Sequence, residues 1–533
     1  MSKYSFFGTS LVVVMVIGLM LVGSLQLDLG QSSTNVNGAI SQDITWALSG
    51  NPYILTNDAF VNQGVTLTIQ PGVIVDLGSF DFEVNGTLVA IGTSNNPVQF
   101  NSGALSFTPD CNGYNKQTGS GCIIQNGILN DTTVSCDNTT KINLCTITAP
   151  VNGASGIISF SEINGEVNGD VISGSTIIGD VSANTILNNN ILGDVAPFAS
   201  AQNNNITGSL NLVGNCIVSN NFIQGNIAIS SGTSTVSSNT ITSMDTAINI
   251  APSSSVGIIE TTIKNNEITA SQIGINMKSD LIPTLYGWSS QATILLNIIS
   301  GCSTAGILVN SEDAQASNQY GNGNKATIME NVISNNTYGI QANPPSIIQG
   351  NLIINNQYGA LGGIITENTV VNNSYGVLGT NCSYNNILNS SKYNFALGEF
   401  GVYSLTGNAD ATNNWWGTND AQAINQTIYD SKNDTNLGNV TYEPFLTSSN
   451  SAAPAQDYTI AVGSALTTIT APSPSPAPTT TSSATTTLSS ASPTPVPKTP
   501  DFTPAIILAI IVIIVIVTLA TLLVRRKLHN ERF

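Results

Sequence analysis

Two glutamates in this 533-residue chain have a spacing that suits catalysis by a pair of carboxylates. Glu330 and Glu367 each directly precede an Asn-x-apolar triplet. If these triplets recur in successive coils of a solenoid, the two carboxylates lie on one edge about 9.6 Å apart, with one coil between them. A glycoside hydrolase needs two carboxylates about 5 to 9.5 Å apart. The alternative interpretation is that they are solvated edge charges that prevent aggregation.

Three aspartates follow glycine in a repeated Gly-Asp-Val sequence: Asp170, Asp180 and Asp194. Stacked carboxylates repel one another unless water solvates them or a cation such as Ca²⁺ bridges them. The sequence therefore leaves two interpretations, solvated turn residues and a calcium-binding ladder. The sequence predicts no cofactor, and Ca²⁺ is the alternative that these aspartates leave open.

Four tyrosines recur at the same offset within the repeat: Tyr338, Tyr358, Tyr375 and Tyr393. Equal offsets predict a tyrosine ladder over four coils. If the ladder is exposed, it is a stacking platform for a glycan. If it is buried at a corner of the coil, it is aromatic packing.

Arginine and histidine are confined to one end of the chain. The single histidine and all three arginines lie in the last nine residues. The preceding 524 residues therefore hold no Ser-His-Asp or Cys-His nucleophile and no histidine-ligated zinc or copper. Between Leu25 and Val524 there are 8 lysines against 30 carboxylates. Because phosphate binding needs a basic stripe, this acidic balance excludes nucleic acid as a partner.

The Asn-x-apolar triplets are the elements that must position these side chains. Their closest spacings of 15 to 18 residues are too short for a pair of helices but long enough for one β-helix coil. Each triplet predicts an inward apolar residue and a stacked asparagine amide. The triplet asparagines are Asn189, Asn204, Asn221, Asn239, Asn266, Asn297, Asn331, Asn351, Asn368 and Asn386.

A second apolar residue follows the first by seven or eight positions in six repeats, and it predicts a second inward column. Those residues are Ile275, Ile307, Ile340, Ala360, Val377 and Phe395. Two inward columns at a constant offset predict an all-β, single-stranded parallel β-helix. The longer triplet spacings then predict loops that leave the coil after this second column.

The motifs NNTYGIQ, NNQYGAL and NNSYGVL, with the closing NNWWGTND and GNVTYEPFL, carry a family resemblance. The chain resembles the right-handed parallel β-helix repeat proteins of the pectin-lyase-like superfamily, especially the surface-anchored bacterial and archaeal group. The resemblance implies a right-handed coil and a C-terminal cap in which Trp415 and Trp416 close the stack. Lyases and polygalacturonases of this fold use arginine, lysine or histidine beside carboxylates, and no arginine or histidine precedes residue 525 here.

Both ends of the chain predict export and anchoring. Lys3 and the apolar run from Leu11 to Val22 indicate a signal peptide or an uncleaved anchor. The apolar stretch from Ala505 to Val524, followed by basic residues, predicts a membrane-spanning helix with a cytoplasmic C-terminus. Before it, residues 471–500 are a Ser/Thr/Pro tract that predicts an extended stalk.

In an exported protein, the cysteines of residues 106–150 suggest disulfides. The simplest of the three connectivities joins Cys111 to Cys122 and Cys136 to Cys145. Three sequons in the presumed closing region are the preferred glycosylation candidates: Asn425, Asn433 and Asn439.

The predicted organisation has eight parts. These are a signal peptide or anchor (1–25), first coils with an N-terminal cap (32–105), a cysteine-containing loop insertion (106–150), the β-helix (151–412), a C-terminal cap (413–449), a stalk (450–501), a transmembrane helix (502–524) and a basic cytoplasmic tail (525–533).

The sequence therefore predicts a single-pass membrane protein with an extracellular β-helix. Its expected role is non-enzymatic, in cell-envelope structure, adhesion or carbohydrate binding, with the membrane and glycans or envelope components as partners. The alternative is a carbohydrate-active enzyme, a polysaccharide lyase or glycoside hydrolase, that works with carboxylates or lysine alone.

Overall fold

A computed structural model describes residues 33–251, 259–269, 272–279, 290–311, 324–400 and 403–460. Nearly every strand in these ranges pairs in parallel with equivalent strands one coil earlier and one coil later. The pairings divide the strands into three parallel sheets, named first, second and third in the order in which each coil visits them. This arrangement is a parallel β-helix, which confirms the predicted all-β solenoid.

The strand bounds follow from these sheets. Strands shared by the first and second sheets are Thr34–Ile40, Tyr53–Val61, Ile74–Val84 and Val98–Phe107. Strands shared by the second and third sheets are Val167–Ser173, Val181–Leu187 and Val195–Gln202. The first sheet continues with Gly127–Asn130, Thr146–Ile147, Glu162–Asn164, Thr176–Ile178, Asn190–Leu192, Asn205–Thr207, Phe222–Gln224, Thr240–Thr242, Glu267–Thr269, Ile298–Ser300, Val332–Ser334, Leu352–Ile354, Thr369–Val371 and Asn386–Leu388.

The other two sheets have similar lengths. The second sheet continues with Thr133–Cys136, Val151–Asn152, Leu210–Leu212, Ile227–Ile229, Thr246–Ile250, Ile273–Ser279, Ala305–Ser311, Tyr338–Ala342, Tyr358–Leu361, Tyr375–Leu378, Tyr393–Ala396 and Ile428–Tyr429. The third sheet contains Ile44–Trp46, Thr66–Ile69, Thr87–Ile91, Ile123–Gln125, Thr140–Asn143, Gly156–Ser159, Ile217–Ser219, Thr233–Ser237, Ile259–Lys264, Ser290–Leu295, Lys325–Met329, Ile347–Gln349, Ile364–Thr366 and Cys382–Ser383.

A few elements lie outside the three sheets. They are the antiparallel pair Gly398–Phe400 and Tyr403–Leu405, the parallel pair Ala409–Asp410 and Val440–Thr441, the 3₁₀ turn Leu48–Gly50 and the α-helix Ala421–Gln426.

The core is a set of apolar columns that run along the axis of the stack. Side chains alternate between the two faces of a strand, so one residue in two points inward, and Ile and Val suit that position. Both inward columns predicted from the repeat are buried, and their members are direct partners from coil to coil. The exception is the last triplet, in which Ile387 and not the predicted Leu388 is the inward residue. The described part of the first sheet contains eighteen strand levels, a length of about 80 Å at roughly 4.8 Å per level.

The asparagine ladder lies at the turn between the third and first sheets. The side-chain Nδ2 of each ladder asparagine donates to the Oδ1 of the ladder asparagine in the next coil. Between Asn221 and Asn239 this distance is 2.9 Å. The same Oδ1 accepts the backbone N–H of the preceding asparagine at 3.0 Å. Nδ2 also donates to a carbonyl of the preceding coil, here Ala201 O at 2.9 Å. Each amide therefore joins three coils, and the ladder asparagines are fully buried.

The last steps of this ladder differ from the prediction by one residue. Asn385, and not Asn386, accepts from Asn368 and donates to Asn414 at 3.0 Å. Asn386 points outward and bonds the C-terminal segment instead. The sequence was ambiguous here because Ile387 and Leu388 are both apolar, so either asparagine completes a triplet.

The residue before each ladder asparagine adopts a left-handed backbone conformation. Asn188, Asn203 and Asn220 have φ values of 56°, 55° and 57°, and asparagine tolerates this region better than most residues. Glu330 and Glu367 occupy the same turn position with φ values of 55° and 57°. Their place is thus set by the turn.

Two extensions of the ladder were not predicted. Upstream, Ser175 and Ser161 replace asparagine and continue the chain of side-chain to backbone bonds toward Cys145. At the opposite turn of three later coils, Asn336, Asn356 and Asn373 form a second buried ladder with bonds of 3.0 and 3.1 Å. The doubled asparagine in NNTYGIQ and its two relatives was its sequence signal.

The segment predicted as a cysteine-containing loop insertion, residues 106–150, is mostly β-helix. Its strands pair with the coils on both sides, as Thr133–Cys136 does with residues 104–107 and 151–152. Only the connection between Phe107 and Ile123 leaves the coil. The prediction failed because small residues take the ladder positions here, so the asparagine triplet is missing.

The C-terminal end of the stack is covered by the closing motifs. Asn414 ends the ladder, and Trp416 lies buried in line with the inward aliphatic column. Beyond the cap, residues 446–458 form a strap that runs back along the coils. Asn450 exchanges hydrogen bonds with Asn386, and Thr369 donates to Pro454 O at 2.5 Å. Residues 450–458 are therefore packed on the β-helix, although residue 450 was predicted to begin the stalk.

The predicted signal or anchor, the Ser/Thr/Pro tract and the C-terminal apolar stretch lie outside the described residues. Within the described ranges, no helix has the length and apolar character needed to cross a membrane.

The ladder amides should be essential for stability, whereas their outward neighbours should not. Replacing Asn204 by Ala removes the four hydrogen bonds that its side chain makes with Asn189 N, Asn189 Nδ2, Ile186 O and Asn221 Oδ1. Because buried polar groups lose their partners, we expect the free energy of unfolding to fall by about 3 kcal/mol or more in a guanidinium titration.

The adjacent Asn205→Ala is the matched control. Asn205 makes only a solvent-exposed bond to Asn190, so its loss should change the free energy of unfolding by less than about 0.5 kcal/mol. Equal effects of the two substitutions would contradict the structural role of the ladder.

Candidate functional site

The four predicted tyrosines form a ladder on the second sheet. Tyr338, Tyr358, Tyr375 and Tyr393 are direct partners in four consecutive coils. The first three rings stack with centroids 4.6 and 5.2 Å apart and interplanar angles of 15° and 13°. Tyr393 is tilted by 33° from Tyr375 at 6.2 Å. Each ring is half-buried, so stacking covers ring faces while part of each side chain stays accessible.

An antiparallel pair of strands, Gly398–Phe400 and Tyr403–Leu405, covers the outer face of the second sheet beside this ladder, and we name this pair the hairpin. Phe400 meets Tyr358 and Tyr375 edge to face, at 6.0 and 6.1 Å. Beneath the hairpin, the outward residues Leu361 and Leu378 are fully buried. The hairpin thus turns an otherwise open sheet face into one wall of a cleft.

We name the resulting cavity the aromatic cleft. It measures about 390 Å³ and is walled by Tyr375, Tyr393, Phe400 and Tyr429, the last lying 5.0 Å from Tyr393 with an angle of 52°. Polar groups complete the lining, namely Glu399, Asp434 and Asn436. Rings beside hydrogen-bonding groups can contact both the C–H faces and the hydroxyls of a sugar.

Sequence reasoning found two of the four aromatic walls and missed Phe400 and Tyr429. The hairpin has a weak signal in the alternation EFGVYSL, but no spacing rule connects it to the tyrosine column. Tyr429 is the partner of Ala396 and not of Tyr393, and its ring meets the tyrosine column because Ile428–Tyr429 pairs with residues 395–396 after a connection of more than thirty residues. Such a long connection hides the register from sequence.

The structure brings Glu330 and Glu367 into one cleft at the turn preceding the first sheet. This carboxylate cleft measures about 320 Å³, and its other lining residues include Gln349, Pro454 and Tyr458. Gln349 Nε2 donates to a carboxylate oxygen of Glu367 at 2.7 Å. Partial burial raises the pKa of the Tyr458 phenol, and the nearby Glu330 carboxylate raises it further. The strap therefore forms one wall of a site that the sequence predicted from two turn residues alone.

The three aspartates do not form the ladder that the sequence suggested. Asp180 and Asp194 occupy the same turn in successive coils, where Asp180 Oδ1 accepts the N–H of Asp194 at 2.8 Å. Asp194 Oδ1 in turn accepts from Ser209 N at 2.8 Å. Asp170 lies at a different corner, between the second and third sheets, because its Gly-Asp-Val sequence falls inside Val167–Ser173. Within the described ranges, no three His, Cys, Asp or Glu side chains cluster as metal ligands.

All seven cysteines are buried, and Cys111, Cys122, Cys136 and Cys145 form no disulfide. The thiols of Cys111 and Cys122 lie within hydrogen-bonding reach of each other, and this bond together with burial raises the pKa of Cys111. Cys136 and Cys145 are not brought together, because the strand Thr140–Asn143 lies between them. Cys145 Sγ instead donates to carbonyls, including that of Asn143 at 3.3 Å. The predicted 111–122 pair is therefore adjacent in space and the 136–145 pair is not.

The preferred sequons lie in the C-terminal cap. Asn433 and Asn439 are exposed, whereas Asn425 is half-buried in the helix Ala421–Gln426 and accepts a hydrogen bond from Lys432. Asn439 Oδ1 accepts from the Ser431 hydroxyl at 2.6 Å. The two exposed side chains are the more accessible positions for a glycan.

Comparison of the chain with protein-family models, curated proteins and solved structures finds no match.

The buried thiols predict an alkaline loss of stability. Burial raises the pKa of Cys136, Cys145 and Cys382 to about 12. An unfolded thiol titrates near 8.5, so above that pH the unfolded chain loses protons that the folded chain keeps. The free energy of unfolding should fall as pH rises from about 9 toward 12, by up to about 1.4 kcal/mol per pH unit for each thiol.

The Cys145→Ala variant identifies the contribution of one thiol. Its free energy of unfolding, measured by denaturant titration at pH 8, 9, 10 and 11, should fall less steeply than that of the unsubstituted chain. Parallel pH profiles for the two chains would refute this assignment.

Proposed function

We propose that the chain is a single-pass, membrane-anchored cell-surface protein whose β-helix binds carbohydrate without cleaving it. In this proposal it acts in adhesion or in the structure of the cell envelope, with the ectodomain outside and the C-terminus in the cytoplasm. The proposal also holds that the coil is right-handed and that the chain is related to surface-anchored members of the pectin-lyase-like superfamily. Both parts are supported by the sequence motifs NNTYGIQ, NNQYGAL, NNSYGVL, NNWWGTND and GNVTYEPFL.

The aromatic cleft is the observation on which carbohydrate binding rests. Its walls offer rings in more than one orientation, since Tyr429 and Phe400 are inclined to the tyrosine ladder. Glu399, Asp434 and Asn436 supply acceptors and an amide donor at the same cavity. Apolar ring surface with a few placed polar groups is the usual chemistry of a small-ligand site.

The chemistry missing from the chain supports binding over cleavage. Without arginine or histidine before residue 525, the bases and charge-stabilising groups of the lyases that the fold resembles have no counterpart except lysine. Anchoring rests on the apolar stretch from Ala505 to Val524 and its basic flank.

A second candidate function rests on the carboxylate cleft. Because Glu330 and Glu367 line one cavity two coils apart, hydrolysis of a glycan by inversion is the alternative. Reducing ends released from a polysaccharide by the full chain, and lost in both Glu330→Gln and Glu367→Gln, would establish this alternative and overturn the non-enzymatic proposal.

Carbohydrate binding should depend on Tyr375 but not on Tyr338. Both rings belong to the ladder, yet only Tyr375 lines the aromatic cleft. Tyr375→Ala removes one aromatic wall, so we expect retention of the full chain on polysaccharide columns to weaken about tenfold, which corresponds to about 1.4 kcal/mol. Frontal affinity chromatography measures the change.

Tyr338→Ala is the matched control, since it also removes one stacking partner. It should leave retention unchanged, and thermal unfolding checks that both variants remain folded. If the unsubstituted chain is retained on no neutral or acidic envelope polysaccharide, carbohydrate binding is wrong.

Anchoring makes a separate prediction. A chain that ends at residue 501 lacks the apolar stretch and should appear in the medium, whereas the full chain should sediment with membranes and dissolve only in detergent. Retention of the shortened chain in the membrane fraction would show that the N-terminal apolar run, or another attachment, holds the protein.

A further inference from the structure

The C-terminal cap holds an amine, a carboxamide and a carboxyl group in contact with one another. Lys432 Nζ donates a hydrogen bond to Asn425 Oδ1. The same Nζ forms an ion pair with Asp430 Oδ2 at 3.1 Å. None of these three residues lines the aromatic cleft or the carboxylate cleft. The two clefts therefore do not account for this cluster.

Local structure brings the three groups together. Asn425 lies in the last turn of the helix Ala421–Gln426. The chain then passes through the strand Ile428–Tyr429 into a turn, where Asp430 Oδ1 accepts the backbone N–H of Lys432 at 3.0 Å. That turn holds the lysine beside the end of the helix, seven residues after the asparagine that it contacts.

Within the cluster the carboxyl group is fixed, whereas the amine can move. The Asp430 side chain is 1% exposed, and its oxygens also accept the backbone N–H groups of Lys432 and Val440. The Lys432 side chain is 46% exposed, so its end is free to rotate. The Tyr442 ring flanks the amine, with its centroid 5.9 Å from Nζ. The cluster thus pairs a held proton acceptor with a nucleophile that contacts it.

These three groups are the reactants and the acid–base group for an amide exchange. An uncharged primary amine is a nucleophile, and the carbon of a carboxamide is an electrophile. Because Oδ1 of Asn425 is about 1.2 Å from Cγ, an amine that bonds this oxygen is also within reach of the carbon. The neighbouring carboxylate can accept the proton that lysine must lose before it attacks.

We propose that Lys432 and Asn425 form an intramolecular isopeptide bond, an amide between their side chains, with Asp430 as the catalytic acid–base group. The Asp430 carboxylate removes one proton from Nζ, and the uncharged Nζ attacks Cγ of Asn425. The N–C bond forms while the carbonyl π electrons move to Oδ1.

The second half of the reaction releases ammonia. Asp430 carries a proton from Nζ to Nδ2, the Cγ–Nδ2 bond breaks and the C=O bond is restored. The products are a secondary amide and ammonia, which leaves as ammonium with the remaining lysine proton. Asp430 is again a carboxylate. Nothing is oxidised or reduced, and the chain itself supplies every reactant.

The isopeptide bond and a glycan exclude each other at Asn425. This residue begins the sequon Asn-Gln-Thr, and an N-linked glycan is attached to the same Nδ2 that the exchange expels. Asn425 is half-buried, whereas the sequon residues Asn433 and Asn439 are exposed. The cap thus offers two asparagines for glycosylation and one for the cross-link.

The bond would close a ring of covalent bonds around the strand Ile428–Tyr429. This strand pairs with residues 395–396 of the β-helix, and Tyr429 is one wall of the aromatic cleft. A pull from the C-terminal side that reaches Lys432 would pass through the bond to Asn425 and bypass the strand. The cross-link would therefore hold this wall of the cleft when the chain beyond it is under load.

Peptide mass spectrometry of the full-length chain tests the proposal. The chain is produced in a host without N-glycosylation, purified in non-ionic detergent, and analysed before and after incubation at about pH 9, where more of the lysine is uncharged. After denaturation, chymotrypsin cuts next to Tyr429, between the two reacting residues. We expect the peptides that carry Asn425 and Lys432 to stay joined, with a summed mass lower by one ammonia.

Two variants assign the roles. Lys432→Arg keeps a positive charge beside Asp430 but has no amine nucleophile, so its peptides should separate. Asp430→Asn keeps both reacting groups, and cross-linking should slow by at least about 100-fold because the proton acceptor is lost. Lys392→Arg, at an exposed lysine outside the cap, is the matched control and should cross-link like the unsubstituted chain.

Separate peptides of unchanged mass from the unsubstituted chain, before and after incubation, would overturn the proposal whether or not any variant folds. Conversion of Asn425 to aspartate without joined peptides would also overturn it, because water would then be the nucleophile. Joined peptides in Lys432→Arg would show that another amine reacts. Carbohydrate binding stands in each case, since the cluster does not line the aromatic cleft.

Discussion

The buried amide ladder is the interaction on which the rest of this molecule depends. An asparagine amide has two N–H donors and an oxygen that accepts two hydrogen bonds. A buried column of asparagines can therefore satisfy its hydrogen bonds without any charged group. Each ladder side chain bonds the coil before it and the coil after it, as Asn331 does with Ile294 O and with Asn351 Oδ1. This requirement keeps the turn between the third and first sheets at two residues, one left-handed and one buried, from Asn188 to Asn414.

Because that turn has a constant length, variation in loop length and in side-chain type occurs at other positions of the coil. The corner between the second and third sheets accommodates connections of several lengths, and the outward positions carry threonine, tyrosine, lysine or glutamate without disturbing the core. The aromatic cleft and the carboxylate cleft combine outward and turn residues of the coils, which the ladder holds in register, with residues of the hairpin, the cap and the strap. Chemistry on this protein is thus a property of its surfaces, with the interior supplying only spacing.

The sequence predicted those parts that repeat with a short period. The inward columns, most of the ladder and the tyrosine stack follow from constant offsets, and Glu330 and Glu367 were located through their neighbouring asparagines. Where the period is masked, prediction failed. Gly127 and Cys145 in ladder positions concealed the coils of residues 106–150. Two adjacent apolar residues, Ile387 and Leu388, led the sequence to predict Asn386 in the ladder position that Asn385 occupies. Asp170 was grouped by motif although its strand position differs from that of Asp180. Phe400, Tyr429 and the strap contact the coils only through long connections, for which sequence spacing offers no guide.

The constant two-residue turn also has an evolutionary consequence. A coil of about 17 residues begins and ends with the same bonds, so a duplicated coil can enter the stack while its neighbours keep their partners. Each such duplication lengthens the protein by roughly 4.8 Å and extends every outward row by one position. The length of the β-helix and the number of outward side chains in a row can therefore increase together, one coil at a time, while the fold stays the same.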